Sequence, residues 1–330
     1  MRQGTVLQFQ CRTTSPFHTS RQAYANLVKC APFILGSTLR GAVLKRLIES
    51  QDCPHLKELA ETKDRMAIEA VHRTCTLDCP VKPFFAESPL AWFSFGQFEG
   101  EEHERYRFST RIALARDAAS VAEGAIVTIE AIRPGVPFAF SVTLLDGAQE
   151  MAAAVEEAVR LSGEIEGIGR FRSIGFGQFA VGKVERIPLA EALAQVQAEW
   201  KQMPLESPLT LTLATPYLLS KGEERIPSFE YTALARRLEA DMSHALEAVR
   251  YDTMAVPRLQ GAECVLRPEY ISHFSYELGT REHYLVAWEG SEFILHLDKL
   301  EPEVSTCLAI ASLVGLGPES DLGYGRFKAA

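Results

Sequence analysis

Eight of the 22 glycines in this chain fall in two short windows that share one internal spacing. The first holds Gly167, Gly169, Gly175, Phe176, Gly177 and Phe179; the second holds Gly315, Gly317, Gly323, Tyr324, Gly325 and Phe327. Glycine is required where φ is positive or where the main chain must come close to another group. Consecutive N–H groups in such turns can cradle a phosphate. Arg170, Arg172 and Ser173 stand inside the first copy and add cationic and hydroxyl donors, so that copy is expected to face an anion. Glu319 and Asp321 occupy the same gap in the second copy and would repel phosphate, which predicts an architectural role there. The dinucleotide-binding reading fails on context, because each motif follows a helix and leads into a strand, the reverse of the required order.

Two other groups could do chemistry. Cys53, His72, Cys75 and Cys79 could close a tetrahedral site around a structural zinc, with His55 as a substitute for His72; the other reading is unligated cysteines beside a surface histidine. His18 lies in Ser15-Pro-Phe-His-Thr-Ser20, with Tyr24 and Lys45 as candidate neighbours. Metal-independent RNA cleavage needs a base for the 2′-hydroxyl and an acid for the leaving oxygen. His18 could serve with Lys45 beside the phosphorane, or be an ordinary loop histidine. No Ser-His-Asp or phosphate-loop pattern is present, and no metal or cofactor other than zinc is implied.

The elements that must hold these residues follow from periodicity. Val6 to Arg12 alternates as a strand. Residues 13–35 are irregular, and a helix opens at Gly36-Ser37-Thr38 with Ser37 or Thr38 as its cap. Residues 51–110 read as an insertion carrying the clustered Cys and His. Ala125–Ile132 and Pro137–Leu145 read as a hairpin about Arg133-Pro-Gly135. A helix over 149–161, the first glycine motif and a strand from Phe176 to Val184 complete a βαββαβ order, that of a ferredoxin-like domain. After a helical bridge over 188–207, the pattern recurs. It runs through a strand at 209–215, a helix at 231–249, strands at 262–274 and 284–297, a helix at 302–313 and a last strand at 324–328. The expected fold is therefore α+β, two tandem ferredoxin-like (βαββαβ) domains at 1–187 and 208–330, the first with a long Cys/His-containing insertion.

The chain has 330 residues and a formal net charge of −9. Residues 1–187 are neutral, with 22 basic and 22 acidic side chains, whereas 188–330 carry 12 against 21. A nucleic-acid face is accordingly expected on the first half. Seven unevenly spaced cysteines, no secretory leader and no apolar run of membrane-spanning length point to a reducing cytoplasm.

Ile34-Leu-Gly-Ser-Thr-Leu-Arg-Gly41 resembles the helix-opening signature of the RAMP superfamily of CRISPR-associated proteins. Gly167-Ile-Gly-Arg-Phe-Arg-Ser-Ile-Gly-Phe-Gly177 resembles that superfamily's glycine-rich loop. Arg111-Ile-Ala-Leu-Ala-Arg116, with Glu123-Gly and Glu130-x5-Gly-x2-Phe138, is similar to a stretch common in its type III effector subunits. The resemblance implies a protein of antiviral defence that binds CRISPR RNA by shape and phosphate contacts, in company with other CRISPR-associated subunits. It places Ser37, Thr38, Arg40, Gly167, Gly169, Arg170, Arg172, Ser173, Gly175 and Gly177 at the RNA. The cationic stretch Arg105, Arg107, Arg111 and Arg116, interleaved with Tyr106 and Phe108, suits an arm laid along RNA. The non-catalytic subunit is the leading reading. A repeat-processing endoribonuclease is the alternative, supported by Thr215-Pro216 and Phe229-x4-Leu-x-Arg-Arg-Leu238. A scaffold without an RNA role comes third.

Overall fold

A computed structural model describes residues 2–24, 26–50, 81–84, 90–114, 121–203, 206–221, 228–251, 254, 256–275, 280–298 and 302–329. It is a mixed helix-and-sheet protein with a main sheet in each half.

In the first half, β1 (Gly4–Thr13) lies between β10 (Phe179–Pro188) and β9 (Pro137–Leu145), and β9 carries β5 (Ala91–Phe93) and β6 (Gly96–Phe98) on its other side. β4 (Phe33–Ile34) closes the far edge against β6. All pairs in this sheet are antiparallel. Leu7, Phe9 and Cys11 are buried from one face of β1, as their alternation requires. They share a core with Leu39, Val43 and Leu47 of α1 (Gly36–Ser50) and Val155 and Val159 of α2 (Ala152–Leu161). These residues recur at helical spacing, so each helix turns an apolar stripe to the sheet.

The main sheet of the second half has four strands. β11 (Leu209–Leu213) lies between β17 (Phe327–Ala329) and β16 (Glu292–Leu297), with β13 (Leu259–Val265) beyond β16. α4 (Tyr231–Ala248) and α5 (Pro302–Val314) contribute Leu234, Leu238, Met242, Leu308 and Ile310 to its core. The predicted bridge is α3 (Leu189–Gln202). Its Leu189, Leu193 and Trp200 join that same core, as do Val6, Trp92 and Leu145 of the first half, so α3 fills the seam between the halves. The Trp200 indole N–H donates to Ser312 Oγ at 3.2 Å.

Four expectations are corrected. The insertion does not reach residue 110, since β5 and β6 belong to the first sheet. The hairpin is formed by β7 (Tyr106–Leu114) and β8 (Val121–Ile132), not by β8 and β9. Arg133 to Val136 is instead a corner at which the chain changes sheets, pinned when Thr13 Oγ1 donates to the Arg133 carbonyl at 2.7 Å and accepts from the Val136 amide at 3.0 Å. Residues 13–35 hold β2 (Ser20–Tyr24), β3 (Leu27–Cys30) and β4, and β2, β3, β8 and β7 form a second small sheet. Finally, the long strands expected at 262–274 and 284–297 each break in two. β14 (Pro268–Ser275) and β15 (Thr280–Ala287) leave the main sheet to pair with each other and with β12 (Tyr217–Lys221). Period-2 alternation cannot show where a strand changes partners.

The second glycine loop locks the halves together. Leu322 is buried with Phe33, Phe95 and Tyr324. A Cβ at Gly36 would overlap the Leu322 and Phe93 carbonyl oxygens, and a Cβ at Gly323 would stand 2.7 Å from the Phe95 amide nitrogen. Gly36→Ala is therefore expected to lower stability by about 1–3 kcal/mol, the range for overpacking a tight site. Gly41→Ala, in the same helix with nothing within 4 Å of a new Cβ, should raise it by up to about 1 kcal/mol through helix propensity. Urea unfolding of the two variants checks the contrast.

Candidate nucleic-acid interface

The two glycine loops are copies in three dimensions as well as in sequence. All eight repeat glycines have positive φ, and so do Phe171 at 62° and Glu319 at 61°, which hold equivalent positions. In each copy a short 3₁₀ turn follows, Arg172–Ile174 or Ser320–Leu322. Each loop closes on the residues just after the first strand of its half. The Gly177 amide donates to the Pro16 carbonyl and the Gly325 amide to the Pro216 carbonyl, both at 2.8 Å. The Ser15 hydroxyl accepts from the Gln178 amide and the Thr215 hydroxyl from the Arg326 amide, both at 2.9 Å. This Ser/Thr-Pro-aromatic clasp, Ser15-Pro16-Phe17 and Thr215-Pro216-Tyr217, was legible as a second repeat but is too short to stand out against chance.

The clasp explains most of the glycines. A Cβ at Gly177 would overlap the Ile168 carbonyl, one at Gly169 the His18 carbonyl, and one at Gly167 would lie 2.7 Å from the Phe176 carbonyl oxygen. The amides of Ile168, Arg170, Ile174, Gly175, Phe176, Gly177 and Gln178 all donate within the protein. A bare main-chain cradle for phosphate is thus not what these glycines provide, since most of its donors are spent. What faces outward is the tip, Arg172, Ser173, Ile174 and Gly175, all exposed.

The electrostatics of that tip are set by Glu166. Its carboxylate accepts from Lys45 Nζ at 2.6 Å and lies 3.1 Å from Arg46 Nη2 and 4.0 Å from Arg172 Nη1. Burial opposes its ionisation, but the Lys45 hydrogen bond and the charges of Lys45, Arg46 and Arg172 outweigh that and hold its carboxyl below the usual range. Three cations share this anion, with Glu49 near Lys45 and Arg46 as a second, so the cluster keeps a net positive charge. Arg170 lies over the Phe171 ring, 5.2 Å from its centroid. Phe171 and Phe176 pack on Ile129 and Ala131 of β8, which seats the β7–β8 hairpin on the loop. On that hairpin Arg107 and Phe108 are exposed, whereas Arg105 Nη1 donates to the Phe98 carbonyl at 3.0 Å.

The helix-opening residues are placed elsewhere. Ser37 and Thr38 lie inside the first turn of α1 rather than before it, and the Leu35 carbonyl accepts from the Thr38 and Leu39 amides. Arg40 Nη2 donates to the Phe84 carbonyl at 2.8 Å. Asp321 of the second loop is half-buried nearby. Burial and the Glu319 charge raise its carboxyl, and the Arg40 charge opposes them. The second loop therefore covers the start of α1 and shields its own acids: Glu319 also pairs with Lys221.

His18 is fully buried. Its Nδ1 is 2.7 Å from the Glu130 carbonyl oxygen, the geometry of an Nδ1–H donor, and its Nε2 has no partner among the described residues. Phe171 packs edge-on at 5.1 Å. Burial lowers its pKa to about 4, opposed by the Glu130 hydrogen bond and aided by the Arg170 charge. The ring is a neutral post under the glycine loop, out of reach of a substrate hydroxyl, and Lys45 is committed to Glu166. The side chains of Tyr24 and Arg111, all of Arg116, and the zinc candidates Cys53, His72, Cys75 and Cys79 fall outside the described residues, as does His55. The described cysteines, Cys11, Cys30, Cys264 and Cys307, are free. Burial pushes the Cys11 and Cys307 thiols up to about 12 and that of Cys30 to about 11.

A family model for the RAMP superfamily matches residues 10–180. No curated protein sequence matches the chain. Among solved structures, a chain in the cryo-EM structure of a type III-B Cmr-beta complex bound to cognate target RNA is 14% identical. It aligns with a TM-score of 0.40 over 56% of this chain and 61% of its own length. A Cas6 product complex is 13% identical and aligns with a TM-score of 0.45 over 99% of both chains. Among the described residues no helix is long and apolar enough to cross a membrane.

A histidine whose folded pKa lies below its unfolded value of roughly 6.5 binds fewer protons when folded, so its stabilisation is present above that pH and is lost as pH falls toward 4. Unfolding free energies of the wild type and His18→Asn, compared at pH 7 and pH 4.5, should differ in their pH dependence. The wild type is expected to lose roughly 2–3 kcal/mol more than the variant.

Proposed function

Since the chain belongs to the RAMP superfamily, we propose that it is a CRISPR RNA-binding subunit of a type III-like effector and acts without cutting its RNA. Each half is read as one ferredoxin-like unit, residues 1–187 and 208–330 joined by 188–207. The strand order β10-β1-β9-β6 in the first and β17-β11-β16-β13 in the second support that reading. The observation that carries the proposal is the cationic cluster at the mouth of the exposed first loop, where Lys45, Arg46 and Arg172 surround Glu166. A phosphate arriving there finds donors already held in place and an environment of net positive charge. Ser173 adds a hydroxyl donor at the tip. Arg107 and Phe108, on the hairpin seated against the same loop, extend the surface with a further cation and an exposed ring on which a base can stack. Recognition of this kind reads the sugar-phosphate thread and stacking faces rather than base edges. Zinc in the segment that holds Cys53, His72, Cys75 and Cys79 would be structural, because four protein ligands leave no open position.

The burial of His18 supports binding over cleavage. His18 Nε2 keeps the free lone pair of a general base, but the ring has no exposed surface from which to reach a 2′-hydroxyl outside the protein. The test is a labelled CRISPR repeat RNA incubated with the full chain in EDTA. Retention on a filter without site-specific cutting is expected, with affinity falling as salt rises. Lys45→Ala combined with Arg172→Ala should weaken binding several-fold and reduce the steepness of the salt dependence by roughly one to two phosphate contacts. Efficient cutting, or an affinity indifferent to salt, would reject the proposal. Elemental analysis for zinc before and after Cys75→Ser tests the metal.

A further inference from the structure

The two loops share a backbone but not a fate. In the second copy, Leu322 is 7% exposed, and Gly323 lies against the main chain of Ser94 and Phe95 in the first half. In the first copy, the equivalent Ile174 is 47% exposed and nothing lies within 4 Å of a Cβ at Gly175. The neighbouring pair follows the same rule. Ile165 is 61% exposed, whereas its equivalent Leu313 packs on the core of the second half. Two isoleucines of the first loop, Ile165 and Ile174, are thus left in water at positions where their twins are covered.

The seat that receives the second loop can be described from its contacts. It consists of a helix that opens on glycine, Gly36, so that the Leu322 carbonyl can pass over it. Beside the helix lies a strand break whose main chain at Ser94 and Phe95 packs against Gly323, and the aromatic side chains of Phe33 and Phe95 form the wall. The second half has the corresponding place but has filled it. Register matches β6 to β13, because Phe98 stands opposite Phe138, which faces Cys11, as Cys264 stands opposite Phe293, which faces Leu211. There α4 opens on Tyr231 instead of glycine, and the Tyr231 ring lies over Gly261 where a loop would otherwise sit. One seat in this chain is therefore taken by its own second loop and the other by its own tyrosine, while one plug is left over.

We propose that the tip of the first glycine loop, with Ile174 at its apex, is a plug that docks into a different protein of related fold, in a seat built like that at Gly36, Ser94 and Phe95. A second copy of this chain does not qualify, because both of its seats are occupied. Ile174 shares its short turn with Arg172, but the docking is argued from the burial of its twin Leu322 and does not rest on the RNA reading.

The test replaces Ile174 with the photoreactive residue benzoylphenylalanine in the full chain, expressed in its own cells, and identifies the cross-linked peptides after irradiation. The expected product joins residue 174 to another protein, at residues forming a glycine-opened helix start and the adjoining strand. Ile174→Asn, which adds no charge beside Arg172, is then expected to reduce co-purification of that protein at least ten-fold. Its urea midpoint should not move and its affinity for repeat RNA should stay within two-fold. Cross-linking only to RNA, only to another copy of this chain, to a protein segment of another kind, or to nothing would overturn the proposal. So would a large loss of RNA affinity in Ile174→Asn. Loss of the salt-dependent RNA binding alone would leave it standing.

Discussion

Each half of this protein depends on one contact, the closing of a glycine-rich loop onto the end of its first strand. The loop passes so near the residues after that strand, and so near its own returning strand, that a Cβ would overlap at three of the four glycines in the first copy and at all four in the second, where Gly323 meets the other half. The residue before proline is biased to extended backbone, and proline brings no N–H of its own to satisfy. Ser15 and Thr215 therefore have their hydroxyls fixed where a loop amide arrives. Buried main-chain groups left without partners would cost about 1–3 kcal/mol each. Here six loop amides are satisfied at equivalent positions in both copies, while the counterpart of Arg170 is Pro318, which has no N–H.

From that common base the copies diverge by side chain alone. The second loop carries acids and an apolar plug and turns inward. Asp321 sits beside Arg40, Glu319 is paired with Lys221, and Leu322 fills an aromatic cup. The first loop carries Arg170, Arg172 and Ser173 and turns outward. The overall negative charge is thus a poor guide to the surface that matters. Two of the acids that contribute to it are neutralised or shielded within the seam, while the cations gathered near Glu166 stand at the exposed loop. Local field, not net charge, decides where a polyanion is attracted.

Sequence reasoning found the elements that carry their own signal. Helices at 231–249 and 302–313 and the strand at 209–215 lie within a few residues of the observed α4, α5 and β11, because apolar spacing and caps are local properties. It missed what depends on partners. Nothing in Ala125–Pro137 announces that the chain leaves one sheet and enters another at Thr13, and the short β5 and β6 look like loop until β9 is beside them. The site divides in the same way. Arg172 and Ser173 were visible as exposed donors in a turn. Glu166 and Arg46 were not, because the clustering of α1 against the end of α2 is a tertiary fact. The glycines were visible for the wrong reason: their spacing suggested an open cradle of amides, and the structure uses those amides to hold the loop shut.

The tightness of the clasp has a consequence for any ligand at the tip. Gly175 and Gly323 have φ of 84° and 85°, and Phe171 and Glu319 agree to within a degree, although one loop is docked and the other is free. The free loop already holds the shape its docked twin adopts. Its strained left-handed Phe171 is kept in place by His18 and by the β8 side chains beneath it. A binder that must first order its loop loses part of its interaction energy to conformational entropy, typically about 0.5–1.5 kcal/mol for each long side chain immobilised. This tip avoids most of that cost. The buried, neutral His18 thus serves the surface without touching it. It holds the turn that presents Arg172, Ser173 and Ile174, and protonating the ring would place a charge under the one element whose rigidity the exposed face requires.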